Sequence, residues 1–340
     1  MIYLALWAGV FWSSAPLDQA ATAVHKYRKF LLLPVILATV SDAIWRKRVL
    51  VAFGLSCVAL LAASFGVYLG VPGLPVMTPG QGAIVMRSHI AQSFLMALLV
   101  LGASLVAVFS RDTWKRVLAG LIVVAALIDM LVLIQGRTGY VILLGLAAWV
   151  AWKLFSWRGR AAALAAITVL AMGVYSLVPT VQMRVAAIET DLQQYQAGDA
   201  NTSAGLRLHF YARALDIMAD APVFGAGTGA WKTEYDKREK PTDLTPPQSG
   251  LGNPHNDFLL MGVQLGSVGL LLYVFVLACA YRFAERLPPA YQWAAQGVLV
   301  AYGVGALFNS FMWDSTEGMV VVLLLAALFS AYPIKTNIKL

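Results

Sequence analysis

Residues 258–279 read FLLMGVQLGSVGLLLYVFVLAC, twenty-two positions without a charge. A helix that crosses a bilayer needs roughly 20 predominantly apolar residues. Lipid offers the backbone no hydrogen-bond partner, so a spanning segment is a helix or one strand of a closed barrel. Barrel strands read as alternating segments of roughly ten residues, and this run is continuous. It is therefore a helix. Nine further apolar stretches lie near 1–12, 28–45, 49–70, 90–109, 116–134, 139–156, 161–179, 291–309 and 317–332. The pattern predicts an all-α fold: a polytopic membrane helical bundle of about ten spans, of which 1–12 is short and reads as a partial or truncated span.

Composition agrees. The 340 residues are 60% hydrophobic and 12% charged, with mean hydropathy +0.72. A soluble domain carries about 25% charged residues. So little charge cannot cover a water-soluble fold of this length, which excludes a soluble enzyme. Disorder is excluded too, because it needs low hydrophobicity and high charge. Cys57 and Cys279 fall inside apolar runs, which argues against a disulfide framework. Met1 opens directly on an apolar stretch without a basic n-region, so no cleavable signal peptide is expected.

Three parts follow in chain order: N-terminal transmembrane helices over 1–179, a polar loop region over 180–254 and C-terminal transmembrane helices over 255–340. The loop carries seven Lys/Arg and nine Asp/Glu, and a loop of this length is uncommon unless it has a role. Within it, 203–219 reads as an amphipathic helix, with Leu206, Phe210, Ala214 and Ile217 at helical spacing.

The net charge of +8 comes from 25 basic and 17 acidic residues. Basic clusters at 46–48, 111–116, 153–160, 282–286 and 335–339 recur at alternate helix ends, as the positive-inside rule requires. This explains the charge without nucleic acid and places the 180–254 loop on the outer side. Lys26, Arg28, Lys29, Arg87 and Arg137 then also face outward. Outward basic charge beside a membrane suits a phosphate-bearing ligand.

His255 lies where the long loop enters the 258–279 span. A neutral imidazole there can accept a proton near physiological pH, and the positive helix end favours the neutral form. Helix capping is the competing role, one that Asn256 and Asp257 could also fill. Arg137 follows an apolar span in Gln135-Gly136-Arg137-Thr138-Gly139-Tyr140. Its planar fork suits phosphate, with headgroup snorkelling as the alternative. Arg207 and Arg213 sit six residues apart on the loop helix and point about 120° apart. Arg213 has Asp216 at i+3 as an ion-pair partner. Arg207 instead shares a face with Tyr211 and is the better ligand candidate. Pro222-Val-Phe-Gly225-Ala-Gly227-Thr-Gly229 lacks dinucleotide-site spacing and reads as a tight turn. Gly262 and Gly266 read as close helix packing. Glu189/Asp191 and Glu234/Asp236 read as solvated surface charge, and no metal site is expected.

Three motifs in order resemble the O-antigen ligase/polymerase superfamily of bacterial envelope proteins. They are Arg137-Thr-Gly-Tyr140 after a span, Gly205-Leu-Arg207 leading to Pro222-x-x-Gly-x-Gly-x-Gly229, and His255-Asn256-Asp257-Phe258-Leu259 opening a span. Gln264-Leu-Gly266-Ser-Val-Gly269-Leu-Leu is also similar, and the likeness covers roughly 90–332. The look is closest to O-antigen ligase. The resemblance implies a glycosyltransferase of lipopolysaccharide biosynthesis, metal-independent and inverting, with no cofactor. It implies a multi-pass protein of the bacterial inner (cytoplasmic) membrane, with the 180–254 loop and the active site facing the periplasm. The donor would be an undecaprenyl diphosphate-linked glycan and the acceptor the lipid A-core oligosaccharide. His255 would activate the acceptor hydroxyl, and Arg137 and Arg207 would bind the diphosphate. Arg213, Tyr211, Asn256, Lys26, Arg28 and Lys29 are secondary candidates.

Members of the superfamily have more spans and more sequence before the region resembling 1–45, so N-terminal helices are expected to be missing here. The same motifs also occur in O-antigen or exopolysaccharide polymerases and in pilin O-oligosaccharyltransferases. A non-enzyme reading, a lipid-linked glycan transporter, would rest on ionisable residues inside spans, of which Asp129 is the clearest, with Asp42 nearer an end.

Overall fold

A computed structural model of the chain describes residues 1–74, 82–86, 88–134, 136–199, 201–239 and 252–333. Arg87, Lys240, Asp243, Lys335 and Lys339, used in the charge argument, lie outside the described residues, as does Gln135. The helices in chain order are α1 (Ile2–Ala8), α2 (Leu17–Lys26), α3 (Lys29–Thr39), α4 (Ala43–Tyr68), α5 (His89–Phe109) and α6 (Thr113–Ile128). A π-helical turn, Asp129–Leu133, extends α6. Then come α7 (Arg137–Leu154), α8 (Trp157–Leu177), α9 (Pro179–Gln196), α10 (Ser203–Asp220), α11 (Trp231–Arg238), α12 (Asp257–Ala284), α13 (Pro289–Ala306) and α14 (Ser315–Phe329). Among the described residues the only extended pairing is an isolated bridge between Gly82 and Ile134. The fold is all-α, and the chain is a multi-pass membrane protein.

Among the described residues five helices are long and apolar enough to cross a bilayer: α4, α5, α6 with its π-turn, α8 and α12. With 18 residues each, α7 and α13 stand near the lower limit of about 17 for a span. The apolar stretches 1–12 and 28–45 form shorter helices than a span requires. The 11 residues of α3 cover about 16 Å of a core about 30 Å thick, and Pro34 removes one of its backbone donors. The chain after α1 instead bonds to the glycine-rich turn: Ser14 N donates to Ala226 O and Thr228 N to Gly9 O.

The chain forms two compact units. The first comprises Met1–Leu31, Leu170–Ala278 and Gly303–Met319. Its core centres on Phe210, Trp231 and Tyr235, all fully buried and packed edge to face around the Phe210 ring. In α10, the Thr202 side chain accepts from Gly205 N at 3.1 Å and caps the helix. Of the expected stripe, Phe210, Ala214 and Ile217 are buried and Leu206 is half-buried.

The same unit shows why α12 is not one straight rod. Gly266 has φ +63° and breaks the helix. A Cβ there would strike Val223 O and the Gly225 backbone. The turn inserts its own backbone into the gap: Ala226 N donates to Val263 O, Gly227 N to Gln264 O and Ser267 N to Pro222 O. The carbonyls of Val263 and Gln264 and the amide of Ser267 thus find partners at the kink, which lipid could not supply. Gly266 therefore serves backbone insertion, not the helix–helix packing read from its spacing. Gly262 does serve close packing, against Met218 of α10.

The second unit comprises Leu32–Val169, Cys279–Tyr302 and the chain from Val320. At its centre is α5, packed against α4, α6 and α7. Asp129, fully buried, accepts from Ser64 Oγ, and Gln92 Nε2 donates to Ser64 Oγ and Ala83 O. The π-turn closes with Ile134 N donating to Asp129 O at 2.8 Å. It delivers the chain to Gly136, which precedes α7.

Candidate functional site

The site builds outward from the entry to α12. Asn256 Oδ1 accepts from Phe258 N at 2.9 Å and Leu259 N at 3.0 Å, satisfying donors that a helix start leaves unpaired. Its amide nitrogen donates to Leu307 O at 2.8 Å. Asn256 is therefore the cap, and the His255 ring is not consumed in that task.

His255 holds φ +53°, alone in the left-handed region among described non-glycine residues. Such backbone costs of order 1–2 kcal/mol and marks functional turns when it recurs at a site. Asn253 Oδ1 fixes the turn by accepting from His255 N at 2.8 Å. The imidazole stacks on Phe210, with centroids 6.1 Å apart and planes at 26°. Tyr211 reaches from α10 to the same turn. Its hydroxyl proton is shared between Leu307 O at 2.9 Å and His255 O at 3.3 Å. Burial, and after it the Arg207 guanidinium, which disfavours a second positive charge, together push the His255 pKa down to about 4. The ring is a neutral acceptor above that pH.

Arg207 is half-buried on the face of α10 that also carries Tyr211, as its i+4 spacing requires. Its Nη1 approaches Ser203 Oγ at 3.4 Å. Burial raises the Tyr211 pKa, and Arg207 partly offsets this.

The secondary candidates separate into different roles. Arg213 is ion-paired with Glu239 at 2.8 Å and with Asp216 at 3.3 Å, the i+3 pair its spacing anticipated. His209 also meets Glu239, at 2.8 Å. Arg28 is exposed and lies 3.0 Å from His25 Nδ1. Lys26 sits over the Trp313 ring at 5.7 Å. Lys29, 4% exposed, donates to Asp314 O. From the sequence Lys29 is an outward-facing cation and a secondary site candidate. The structure buries it in a group with Asp257, Asp314 and Glu317 that was not anticipated. The available signal was a lysine directly preceding the apolar run Phe30-Leu31-Leu32-Leu33.

Asp257 itself accepts from Met312 N at 2.9 Å and fastens the start of α12 to the 310–314 turn. Glu234 also departs from expectation. It is buried, paired with Lys237 at 2.6 Å and Arg238 at 2.7 Å. Burial opposes its ionisation, but these hydrogen bonds outweigh it and bring its pKa to about 2. It is therefore a fixed structural anion, not solvated surface charge.

Arg137 belongs to the second unit, where it opens α7. Gly136 and Gly139 bring its turn against Ser93 of α5. A Cβ on Gly139 would lie 2.8 Å from Met130 Cε and 2.9 Å from Ser93 Cβ. The glycines of the Arg137-Thr-Gly motif thus permit a close approach between helices. Arg137 is half-buried at this turn.

Within the first unit, then, His255, Asn256, Tyr211 and Arg207 are brought together, with Phe210 as an unanticipated plate beneath the imidazole. Such a constellation offers a neutral base beside a fixed cation.

Residues 122–274 match the family model described as O-Antigen ligase, a similarity that covers a little under half of the chain. The matched region contains Arg137, Arg207 and His255. An uncharacterized protein of Haemophilus influenzae is 24% identical over 188 residues, covering 53% of this chain and 46% of that protein. The chain thus spans about half the length of the curated relative it matches.

Proposed function

We propose that the chain is a glycosyltransferase of the bacterial inner membrane. It transfers an O-antigen glycan from undecaprenyl diphosphate to the lipid A-core, with the reaction on the periplasmic side. The observation that carries this reading is the His255–Arg207 pair. The imidazole is held neutral beside a permanent cation, while Asn256 takes over the capping task.

In the reaction, His255 accepts the proton of the acceptor hydroxyl as its oxygen bonds to the anomeric carbon. The bond from that carbon to the diphosphate oxygen breaks, and the electron pair leaves with the undecaprenyl diphosphate. Arg207 stabilises the charge that develops there. Attack opposite the leaving group inverts the anomeric centre. Diphosphate binding is assigned to Arg137 on the resemblance alone.

A base of pKa about 4 is weak in the free protein. A bound diphosphate would neutralise Arg207 and add negative charge, raising the imidazole toward the range where general bases work best. The donor itself would switch the base on.

The test uses purified full-length protein with lipid-linked glycan and lipid A-core. His255→Ala should lower transfer at least about a hundredfold, the lower range for a lost general base. Transfer near the wild-type rate would sink the mechanism. Supplying a second lipid-linked glycan, or a pilin, as competing acceptor separates ligase from polymerase and from protein glycosylation.

A further inference from the structure

A cavity of about 750 Å³ lies wholly within the second unit. Its floor is apolar and buried, formed by Leu98, Leu99 and Ala103 of α5, Val298 of α13 and Leu324 of α14. Its rim is exposed, with Leu55 of α4, Val106 of α5 and Leu118 of α6. A surface of that kind in a membrane protein faces acyl chains.

One end is different. Lys47, Lys115, Ser110 and Tyr291 line it. At that end α4, α6 and α13 begin, so three positive helix termini accompany the two lysines. Arg46 closes the end structurally, donating to Ser330 O at 2.6 Å and stacking over Tyr291 at 5.3 Å. Lys115 pairs with Asp112, but both side chains are about half exposed, and a phosphate can replace such a partner.

The cavity also has a length. Its lining runs along α4 from Lys47 to Val58 and along α5 from Leu98 to Phe109. Eleven helical steps rise about 16 Å, about half of a hydrocarbon core of roughly 30 Å. That is the depth of one leaflet. It suits a single acyl chain with its headgroup at the basic end and is too short for a long polyprenyl chain laid straight.

We propose that this cavity is a binding site for an anionic phospholipid, with one acyl chain along the α5 floor and the phosphate at the Lys47/Lys115 end. Basic pockets between transmembrane helices hold anionic headgroups in this way.

Native mass spectrometry of the full chain in detergent, titrated with dioleoyl-phosphatidylglycerol or dioleoyl-phosphatidylcholine, tests this. The wild type should retain phosphatidylglycerol in preference. Lys47→Gln and Lys115→Gln should each reduce that preference roughly fivefold. Gly54→Leu and Gly102→Leu supply the steric arm. Both glycines line the cavity, and a Cβ on either meets no atom within 4 Å, so each side chain fills the cavity without forcing a backbone shift. Either should abolish phosphatidylglycerol retention while the thermal transition stays near that of wild type. Equal retention of the two lipids by the wild type would overturn the proposal. So would retention unchanged in both filled variants, or displacement of phosphatidylglycerol from the site by undecaprenyl phosphate.

Discussion

The turns at His255 and Arg137 both deliver a nitrogenous side chain to a helix start, yet they are built in opposite ways. The His255 turn is a strained non-glycine residue held from outside by Asn253, Tyr211 and the Asn256 cap. The Arg137 turn carries glycines at 136 and 139 and gains its position from contact with Ser93 and Met130. The first turn spends stability on the conformation of one side chain. The second gains stability from closeness and leaves its arginine on the surface of that packing. Strain localised at one residue is a mark of a site whose geometry matters more than its stability.

This contrast can be broken experimentally. The largest effect is expected for His255→Gly, which keeps the backbone conformation and removes the ring. Transfer should fall at least about a hundredfold, while relieved strain makes the protein of order 1 kcal/mol more stable than His255→Ala, which loses the same ring; a thermal melt and a rate assay on one preparation read both. A His255→Gly protein no more stable than His255→Ala would show that the turn is not strained. Next, Gly139→Leu should destabilise by about 1–3 kcal/mol, the ordinary cost of overpacking. The Arg137 turn then responds with the opposite sign, and an unchanged melting temperature would end the comparison. Asn256→Ala should cost about 1 kcal/mol as a lost cap and lower the rate as well, since the cap also orders His255.

The smallest effect is in pH. The His255 pKa of about 4 lies below its usual 6.5, so the base form of the free protein persists down to about pH 4. The acid limb of kcat/KM should therefore fall near there, and that of kcat at higher pH, because kcat reports the complex with the anionic donor. Arg207→Gln removes a positive neighbour and should move the free-protein limb upward. Coincident limbs in kcat and kcat/KM would exclude activation by the donor. Stability shifts in the matching direction. The unfolded chain binds this proton at about pH 6.5 and the folded chain only near 4, so the contribution is lost on acidification between those values.

Periodicity alone marked α10, because a 3.6-residue repeat needs no knowledge of its partner. It also paired Arg207 with Tyr211 and Arg213 with Asp216, which are consequences of helical spacing. The spans α4, α5 and α12 were equally legible, since lipid makes continuous apolar length the deciding quantity. By contrast, Gly266 looked like a packing glycine, and only the Val223–Gly225 backbone inserted against it reveals a kink. Lys29 looked like an outward-facing cation, and only residues more than two hundred positions away bury it.

What the sequence by itself determined is therefore the class: all-α, membrane-embedded, with basic and imidazole side chains at helix starts. Those features depend on composition and local spacing. What only the tertiary structure decided is which residue caps α12, that His255 rests on Phe210 in a strained turn, and that burial, helped by Arg207, keeps its ring neutral. Those depend on contacts between segments far apart in the chain, and no local periodicity encodes them.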